Sequence, residues 1–389
     1  MNSVAHANIS PGSPLDDDGL ADIRQRLERS FNVETITSGL DGISVTVRDD
    51  IPDAELKQAL GDILRVRRYA SGDCVFTYQP ADWRGHDPQP ALEAKGEVHR
   101  LGPGLFAFRG DFLRVRTALD RKVQQIAARR DAEELAYPPV WPTAVLQDIN
   151  YFHDFPQLAL LATGVVPDYA ARSAFAQRFR KDSSETVMVC SGESGLAAAQ
   201  NALAPTVCDC CYWLLRERQD VTDQIFTIHG DVFRNESSTE GRLDRLTAYT
   251  MREIVMIGDE AFVMAHREAL LCEIQDLVQG LDLHCRIEAA DDPFFSNDAL
   301  QKNSYQNISR LKYEVLVKLF NEQHIAVASI NLHQDYFSRS YDYVSADGNR
   351  PISACVGFGY ERLTYALFCR HGAELATWPE AVRRFLLLK

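Results

Sequence analysis

Residues 233–258 carry charged and aromatic side chains at spacings that suit a nucleotide. The segment reads FRNESSTEGRLDRLTAYTMREIVMIG, with Arg234 and Glu236 near its start and Arg245 and Tyr249 farther along. A planar guanidinium binds phosphate oxygens, a carboxylate accepts hydrogen bonds from an exocyclic amine, and an aromatic ring stacks on a base. The same residue types also line solvated strand–loop–strand faces, so this segment indicates a nucleotide site only together with other features.

A second segment, residues 355–372, supplies such a feature. It reads CVGFGYERLTYALFCRHG, which predicts a strand, a Gly-x-Gly turn and an amphipathic helix with Glu361 and Arg362 in its first turn. An arginine at the mouth of a glycine turn can reach a triphosphate, for which the small residues leave room. The two segments together favour a nucleotide-binding site.

Taken in this order, the two segments resemble motifs two and three of class II aminoacyl-tRNA synthetases. A closer resemblance is to the amino acid:[carrier protein] ligases, truncated relatives of the zinc-dependent, methanogen-type seryl-tRNA synthetases. The resemblance covers residues 104–389. Further matching segments follow in the order of that family: YFHDFPQLA, NALAPTVC, DDPFF, SINLHQDYF and, at the end of the chain, WPEAVRRFLLL.

The resemblance implies an α+β fold for residues 104–389, a class II synthetase-like, mostly antiparallel sheet flanked by helices. Before it we expect a disordered tail at residues 1–18, rich in Ser, Pro, Gly and Asp, and a small α+β N-terminal domain at residues 19–103. An apolar stripe with helical spacing predicts a long helix at residues 111–130. The helix and the segment after it look like motif one, which implies a homodimer.

The resemblance also implies a catalytic zinc that holds the amino group of the substrate and is bound by Cys, Glu and Cys. The matching residues are Cys208, Glu253 and Cys355. Two thiolates and a carboxylate suit zinc better than magnesium, and a catalytic zinc keeps one position for substrate. Cys211 remains an alternative first ligand because the family element often reads Cys-Tyr, whereas the spacing from Pro205 favours Cys208.

A structural role for Glu253 is the competing interpretation. It could be a buried acid paired with Arg252. Side chains of adjacent strand residues point to opposite faces, however, which disfavours that pairing.

The family resemblance also implies which residues bind ATP. The resemblance implies that Arg234 contacts the α-phosphate and the substrate carboxylate and that Glu236 accepts a hydrogen bond from the adenine amino group. Tyr249 would stack beneath the base, Arg362 would stack above it or clamp the γ-phosphate, and Arg245 would hold the triphosphate bent.

Magnesium is expected with ATP because divalent ions neutralise the polyphosphate. Its candidate ligands are Glu314, Ser329 and Asn331. Ser329 and Glu253 are also the residues that we expect to contact the amino acid.

The implied reaction has two steps. A small amino acid of the glycine or alanine type is activated by ATP to aminoacyl-AMP, and the phosphopantetheine thiol of a carrier protein then takes the aminoacyl group. Two alternatives are a seryl-tRNA synthetase-like enzyme that charges tRNA and a non-catalytic synthetase paralogue. A formal charge of −14 makes tRNA an improbable substrate, since nucleic-acid binders normally present a basic face.

Composition agrees with a cytoplasmic enzyme. The hydrophobic fraction of 46% and charged fraction of 25% are ordinary for a globular protein. No run of about 18 apolar residues predicts a membrane span, and the N-terminus lacks the pattern of a signal peptide. The nine cysteines, an odd number, favour free thiols or metal ligands in a reducing compartment.

Overall fold

The computed structural model describes most of the chain, with gaps, and the described residues contain sixteen strands. The described residues are 5–9, 20, 23, 24, 27, 28, 31–39, 42–69, 74–179, 196–235, 241–290, 292 and 310–388. The strands are β1 (Ala5–Ile9), β2 (Val33–Gly39), β3 (Gly42–Val47), β4 (Cys74–Tyr78), β5 (Val98–Gly102), β6 (Leu105–Phe108), β7 (Glu133–Leu135), β8 (Val140–Pro142), β9 (Leu161–Ala162), β10 (Asn201–Leu203), β11 (Gln224–Phe233), β12 (Ala248–Gly258), β13 (Cys285–Ala289), β14 (Lys312–Lys318), β15 (His324–Gln334) and β16 (Ile352–Gly359).

Helices precede and follow these strands in the described ranges. They are α1 (Asp53–Tyr69), α2 (Gln89–Ala94), α3 (Gly110–Ala128), α4 (Thr143–Asp148), α5 (Tyr151–Asp154), α6 (Tyr169–Arg178), α7 (Asp209–Leu214), α8 (Glu260–Gly280), α9 (Tyr336–Ser340), α10 (Tyr360–His371) and α11 (Glu380–Phe385). Among them none is long and apolar enough to cross a membrane.

An eight-stranded sheet, ordered β4-β13-β14-β15-β16-β12-β11-β7, is the framework of the chain. Its neighbours pair antiparallel apart from the parallel contact of β7 with β11. The central strand β12 is buried along almost its whole length. Because both faces of β12 are covered, its residues alternate between two different environments. This architecture confirms the predicted α+β, class II synthetase-like fold.

Helices α3, α8 and α10 cover one face of this sheet. Their apolar stripes join the inward side chains of the strands in one large core. Phe112 of α3 stacks on Phe368 of α10 with 5.7 Å between ring centroids, which ties the two helices together. A second core, which includes α4, α7 and α9, lies on the opposite face of β12 and contains Cys208, Cys211 and Cys355.

The N-terminal part departs from the predicted boundaries. A three-stranded sheet, β1-β3-β2, packs with α1 around its own core. Strand β1 lies within the expected disordered tail yet pairs along its length with β3, so that expectation is wrong for Ala5–Ile9. Strand β4 lies within the expected N-terminal domain but pairs with β13 at the edge of the large sheet. The large sheet therefore recruits chain from before residue 104.

One local prediction also needs correction. The Gly-x-Gly turn is not a turn, because Gly357 and Gly359 both lie in β16 and α10 begins at Tyr360.

Candidate active site

Three potential metal ligands converge on the face of the sheet opposite α3. The thiols of Cys208 and Cys355 and a carboxylate oxygen of Glu253 all lie within 4.8 Å of one another, and all three residues are buried. Cys208 is the residue immediately before α7, Glu253 lies in the middle of β12, and Cys355 lies on the adjacent strand β16. The strands hold Glu253 opposite Gly357, two residues along from Cys355.

These three side chains form a donor set that fits a soft divalent cation. Burial raises the pKa of Glu253, against the hydrogen bonds of the two thiols, which lower it. The thiol of Cys208 also has a raised pKa, chiefly through its contact with Cys355 and through burial. Oxygen Oε2 of Glu253 is buried without a hydrogen-bond partner among the described residues. Such a group is costly unless a cation or a proton meets it.

Gly357 makes room for Glu253. A Cβ on Gly357 would lie 3.4 Å from Cγ of Glu253 and 3.0 Å from Cε of Met251. The second contact is at the lower limit of real Cβ contacts, so even alanine would displace a neighbour. The glycine that was expected to leave space for a triphosphate leaves space for a potential metal ligand instead.

Cys211 lies apart from this group. It is fully buried on α7, one turn beyond Cys208. In the described part of the chain, the clustered ligand atoms belong to Cys208, Glu253 and Cys355 and do not include the Cys211 thiol. The geometry thus favours Cys208 as the first ligand.

Polar side chains from β15 surround Cys355. Asn331 Nδ2 lies 3.4 Å from Cys355 Sγ and donates to Ser329 Oγ at 3.2 Å. His333 Nε2 lies 3.7 Å from the same sulfur, and burial lowers the pKa of His333 to about 4, which keeps the ring neutral at pH 7. The sequence pattern does not indicate His333. A β-bulge between Leu332 and Gln334 places it there, and simple alternation does not reveal a bulge.

Three of the residues expected to bind ATP also come together. The guanidinium carbons of Arg234 and Arg362 lie 5.9 Å and 6.0 Å from the ring centroid of Tyr249. Arg234 Nε donates to the carbonyl of Pro205, on the loop that leads to Cys208, so this arginine lies between the metal ligands and the Tyr249 ring. Arg245 is half-buried between β11 and β12.

One predicted site residue and most of one matching segment lie outside the described residues. The residue is Glu236. Within DDPFF, Asp292 alone is described.

The expected magnesium ligands lie on β14 and β15. Glu314 is directly opposite Ser329 across the two strands. Its Oε1 is 3.0 Å from Lys312 Nζ, which also contacts Asp292 at 2.7 Å. Burial opposes the positive charge of Lys312, but the two carboxylates outweigh it and raise the pKa of the amine. No sequence pattern marks Lys312, which lies beside the candidate magnesium ligand Glu314.

A second buried acid lies beside the metal ligands. Asp209, which follows Cys208, is 4% exposed, and burial raises its pKa to about 7. The neighbouring charge of Glu253 raises it further, while Thr206 and Arg234 oppose the shift. The side of the sheet that holds Cys208 and Glu253 is therefore rich in negative charge when its acids and thiols ionise.

Arg252 points to the other face of β12. Its Nε donates to Asp120 Oδ1 of α3 at 2.7 Å, and its Nη1 contacts Glu134 and Thr227, each at 3.2 Å. The competing interpretation, in which Arg252 pairs with Glu253, does not hold because the two side chains lie on opposite sides of the strand.

No protein-family model matches the chain. The chain is similar to two amino acid–[acyl-carrier-protein] ligases of Bradyrhizobium diazoefficiens. It is 33% identical to ligase 2 over 311 residues, which cover 77% of this chain and 88% of the relative. It is 31% identical to ligase 1 over 315 residues, which cover 78% of this chain and 94% of that protein.

More distant similarity extends to serine–tRNA ligases. A type-2 serine–tRNA ligase of Methanopyrus kandleri is 26% identical over 194 residues, which cover 46% of this chain and 36% of that protein. A crystal structure of M. kandleri SerRS in complex with A. aeolicus tRNASec superposes with a TM-score of 0.70 at 16% identity, over 98% of this chain and 76% of that chain. Seryl-tRNA synthetase from Pyrococcus horikoshii complexed with ATP gives a TM-score of 0.58 at 12% identity, over 87% of this chain and 81% of that one.

Proposed function

Because the chain belongs to the amino acid–[acyl-carrier-protein] ligase family, we propose that it activates a small amino acid with ATP and transfers it to the phosphopantetheine thiol of a carrier protein. One observation carries the proposal. The potential ligands Cys208, Glu253 and Cys355 converge beside the cluster formed by Arg234, Tyr249 and Arg362 (here called the nucleotide cluster). A metal-binding group and a nucleotide-binding group thus lie on either side of Arg234.

The donor set fits zinc, and Cys208, Glu253 and Cys355 would hold it. Zinc bound there would supply a Lewis acid that anchors the amino group of the substrate. The three protein ligands leave one position for that group, and the buried Oε2 of Glu253 would gain the partner it lacks among the described residues. We assign Cys208 rather than Cys211 as the first ligand, because the Cys208 thiol lies in the cluster with Glu253 and Cys355 and the Cys211 thiol does not.

The residues of the chain itself bind and orient the reactants. Tyr249 stacks on the adenine and Arg362 covers its other side or meets the γ-phosphate, while Arg245 and Glu236 bind the triphosphate and the adenine amine. Arg234 contacts the α-phosphate and the carboxylate of the amino acid. Its fixed positive charge stabilises the negative charge that develops as they react.

Bond changes follow from that placement. A carboxylate oxygen of the amino acid forms a bond to the α-phosphorus, and the bond to pyrophosphate breaks. The thiol sulfur of the carrier then attacks the carbonyl carbon, AMP leaves with the mixed-anhydride oxygen, and the thiol proton is released. Positioning and charge stabilisation suffice for both steps, so no protein nucleophile is required.

Magnesium bound with ATP completes the charge balance. Glu314, Ser329 and Asn331 are the candidate ligands, although Glu314 forms an ion pair with Lys312 in this structure. Magnesium held there would supply positive charge to the polyphosphate of ATP. Ser329 and Asn331 lie next to Cys355 and are also placed to contact the amino acid.

A tRNA ligase is the second candidate, favoured by the superposition with M. kandleri SerRS over nearly the whole chain. The net charge of −14 argues against it, because tRNA binding needs a positively charged surface.

ATP–pyrophosphate exchange across the amino acids, followed by transfer of label to tRNA, apo-carrier or holo-carrier, separates the candidates. We expect exchange with glycine or alanine and label on the holo-carrier, which alone offers a thiol. Charging of tRNA with the holo-carrier unlabelled would support the second candidate, and a lack of exchange with any amino acid would support a non-catalytic paralogue.

The role of Arg362 is tested separately. Arg362→Ala should lower the rate of exchange by about 10²–10³, the range for loss of one group that stabilises transition-state charge. Zinc content should be unchanged, because Arg362 contacts the Tyr249 ring rather than the metal ligands. Unchanged exchange in a folded variant would remove Arg362 from the site.

We further propose that the chain is a cytoplasmic homodimer. Helix α3 and the segment at residues 136–141 would form the two-fold interface, since closed two-fold dimers are the commonest oligomers. The described cysteines are free thiols, as a reducing compartment requires. Light scattering at micromolar concentration should return twice the mass of the chain, and a monomer mass would contradict the dimer.

A further inference from the structure

Arg116 of α3 bridges two elements that also carry residues of the nucleotide cluster. Its Nη1 lies 2.7 Å from Glu361 Oε1 on α10 and 3.3 Å from Thr250 Oγ1 on β12. The other oxygen of Glu361, Oε2, accepts the backbone N–H of Thr250 at 2.8 Å. Glu361 is 1% exposed, whereas the Arg116 side chain is 27% exposed, so the carboxylate is buried and its cationic partner reaches it from a partly exposed position. The three residues thus close a polar bridge between α3, β12 and α10.

Each end of this bridge is adjacent in the chain to a residue of the nucleotide cluster. Thr250 follows Tyr249, and the peptide N–H bound by Glu361 joins those two residues. Glu361 precedes Arg362 in the first turn of α10. A shift of the bridge would therefore move the aromatic ring and the guanidinium relative to each other.

The spacing of these two groups is tight for a base. The guanidinium carbon of Arg362 lies 6.0 Å from the Tyr249 ring centroid. A base between two planar groups needs about 7 Å, twice the usual contact distance of about 3.5 Å. An error of about 1 Å in the position of a binding group can cost two orders of magnitude in rate. Small displacements of β12 against α10 thus matter for ATP.

We propose that Arg116 is a positioning residue for ATP, which acts through Glu361 and Thr250 on the separation of Tyr249 and Arg362. The inference rests on the proposed function, because it takes those two residues as the nucleotide site. Loss of the arginine leaves the buried carboxylate of Glu361 with the backbone N–H of Thr250 but without its cationic partner. A buried charge that has lost its partner moves or takes up water, and its chain neighbours follow.

The test measures binding of α,β-methylene-ATP with magnesium by calorimetry, together with zinc content and the KM for the amino acid in exchange. In Arg116→Gln we expect the dissociation constant for the ATP analogue to rise about tenfold, the effect of losing one hydrogen bond to a charged group. Arg116→Lys keeps the charge and should recover part of the affinity. Zinc content and the KM for the amino acid should stay at wild-type values in both variants.

Two controls on the same helix separate positioning from general stability. Arg114→Lys makes the matched substitution at an exposed residue that pairs with Asp111 and should change nothing. Val123→Ala removes buried apolar contacts of α3 and should lower the melting temperature without weakening the ATP analogue. If Arg116→Gln does not fold, Thr250→Val removes one contact of Arg116 and should show the same selective loss to a smaller degree.

The outcomes are distinct. The positioning role would be overturned if Arg116→Gln weakened the ATP analogue and the amino acid equally. It would also be overturned if Val123→Ala weakened the ATP analogue as much as Arg116→Gln does. Wild-type ATP affinity in the Arg116 variants would do the same. Failure of the wild-type protein to bind the ATP analogue would instead overturn the proposed function, and this inference with it.

Discussion

Arg252 and Glu253 are consecutive residues of β12, both charged and both buried, yet their surroundings differ. Arg252 is 1% exposed and has acidic partners on two other elements, Asp120 and Glu134. Glu253 is 3% exposed, and among the described residues its Oε2 has no hydrogen-bond partner. Carboxylates of the same chain neutralise the charge of Arg252. Two thiols lie beside Glu253, and they repel its carboxylate once they ionise.

The difference distinguishes a charge that is neutralised within the chain from a charge that could bind a cation. A buried charge that is paired within the chain contributes to the fold, although its net gain in free energy is modest. A buried carboxylate next to two thiols is stable in its ionised form only when a cation balances the charge. Burial and charge alone do not point to a site; the buried Oε2 of Glu253, which has no hydrogen-bond partner among the described residues and lies beside two thiols, does.

The largest expected effect comes from removal of one thiol beside Glu253. Cys355→Ser should lose bound zinc, since a hydroxyl is a poor zinc ligand at neutral pH. Pyrophosphate exchange should fall by about 10²–10³ or more. Metal analysis of protein purified without added zinc, together with the exchange assay, measures both quantities.

Cys211→Ser is the matched control for that variant. It makes the same change at a buried cysteine outside the metal cluster and should keep both metal and activity. Metal loss in Cys211→Ser would identify Cys211 as the first ligand in place of Cys208. Full activity of metal-free wild-type protein would contradict amine anchoring altogether.

A second prediction concerns the paired charge. Arg252→Met should lower the free energy of unfolding by about 3 kcal/mol, because Asp120 loses a buried partner. Zinc content should be retained in the folded fraction, since Arg252 points away from the metal ligands. Denaturant unfolding and metal analysis test the two halves of this statement. A variant that keeps its stability but loses zinc would reverse the comparison between the two residues.

The smallest effect concerns Asp209, whose pKa is raised to about 7 by burial. Folded metal-free protein therefore holds the Asp209 proton more tightly than unfolded protein does between pH 4 and 7. Stability from this group is present at low pH and is lost as pH rises through about 7. Asp209→Asn does not titrate, so its stability relative to wild type should increase as the pH rises across this window. Unfolding curves whose difference is flat with pH would show that Asp209 is not protonated in the folded state.

Much of the site followed from the sequence because it depends on local pattern and motif order. The alternation of a strand was enough to put Arg252 and Glu253 on opposite faces, and the segments around Cys208 and Cys355 predicted the other two members of the cluster. The long helix predicted at residues 111–130 corresponds to α3 at Gly110–Ala128. The class II-like sheet is also confirmed.

Other features depend on contacts that a sequence does not display. Asp120 pairs with Arg252 across 132 positions of the chain, and no local pattern marks it as a partner. His333 reaches Cys355 through a β-bulge. Strand β1 forms within an apparently disordered composition because β3 supplies its hydrogen bonds. In each case tertiary pairing overrides local propensity.

Gly357 provides the space that the Glu253 side chain needs on this face of the sheet. It leaves a gap in the row of side chains on one face of the sheet, and the Glu253 side chain approaches that gap. A methyl group at this position would touch Glu253 at an ordinary distance and would need the flexible end of Met251 to move by a few tenths of an ångström, so the glycine provides volume rather than a special conformation. A side chain larger than alanine would need the space that the Glu253 carboxylate occupies. A large residue at position 357 is therefore incompatible with this placement of the carboxylate beside the two thiols.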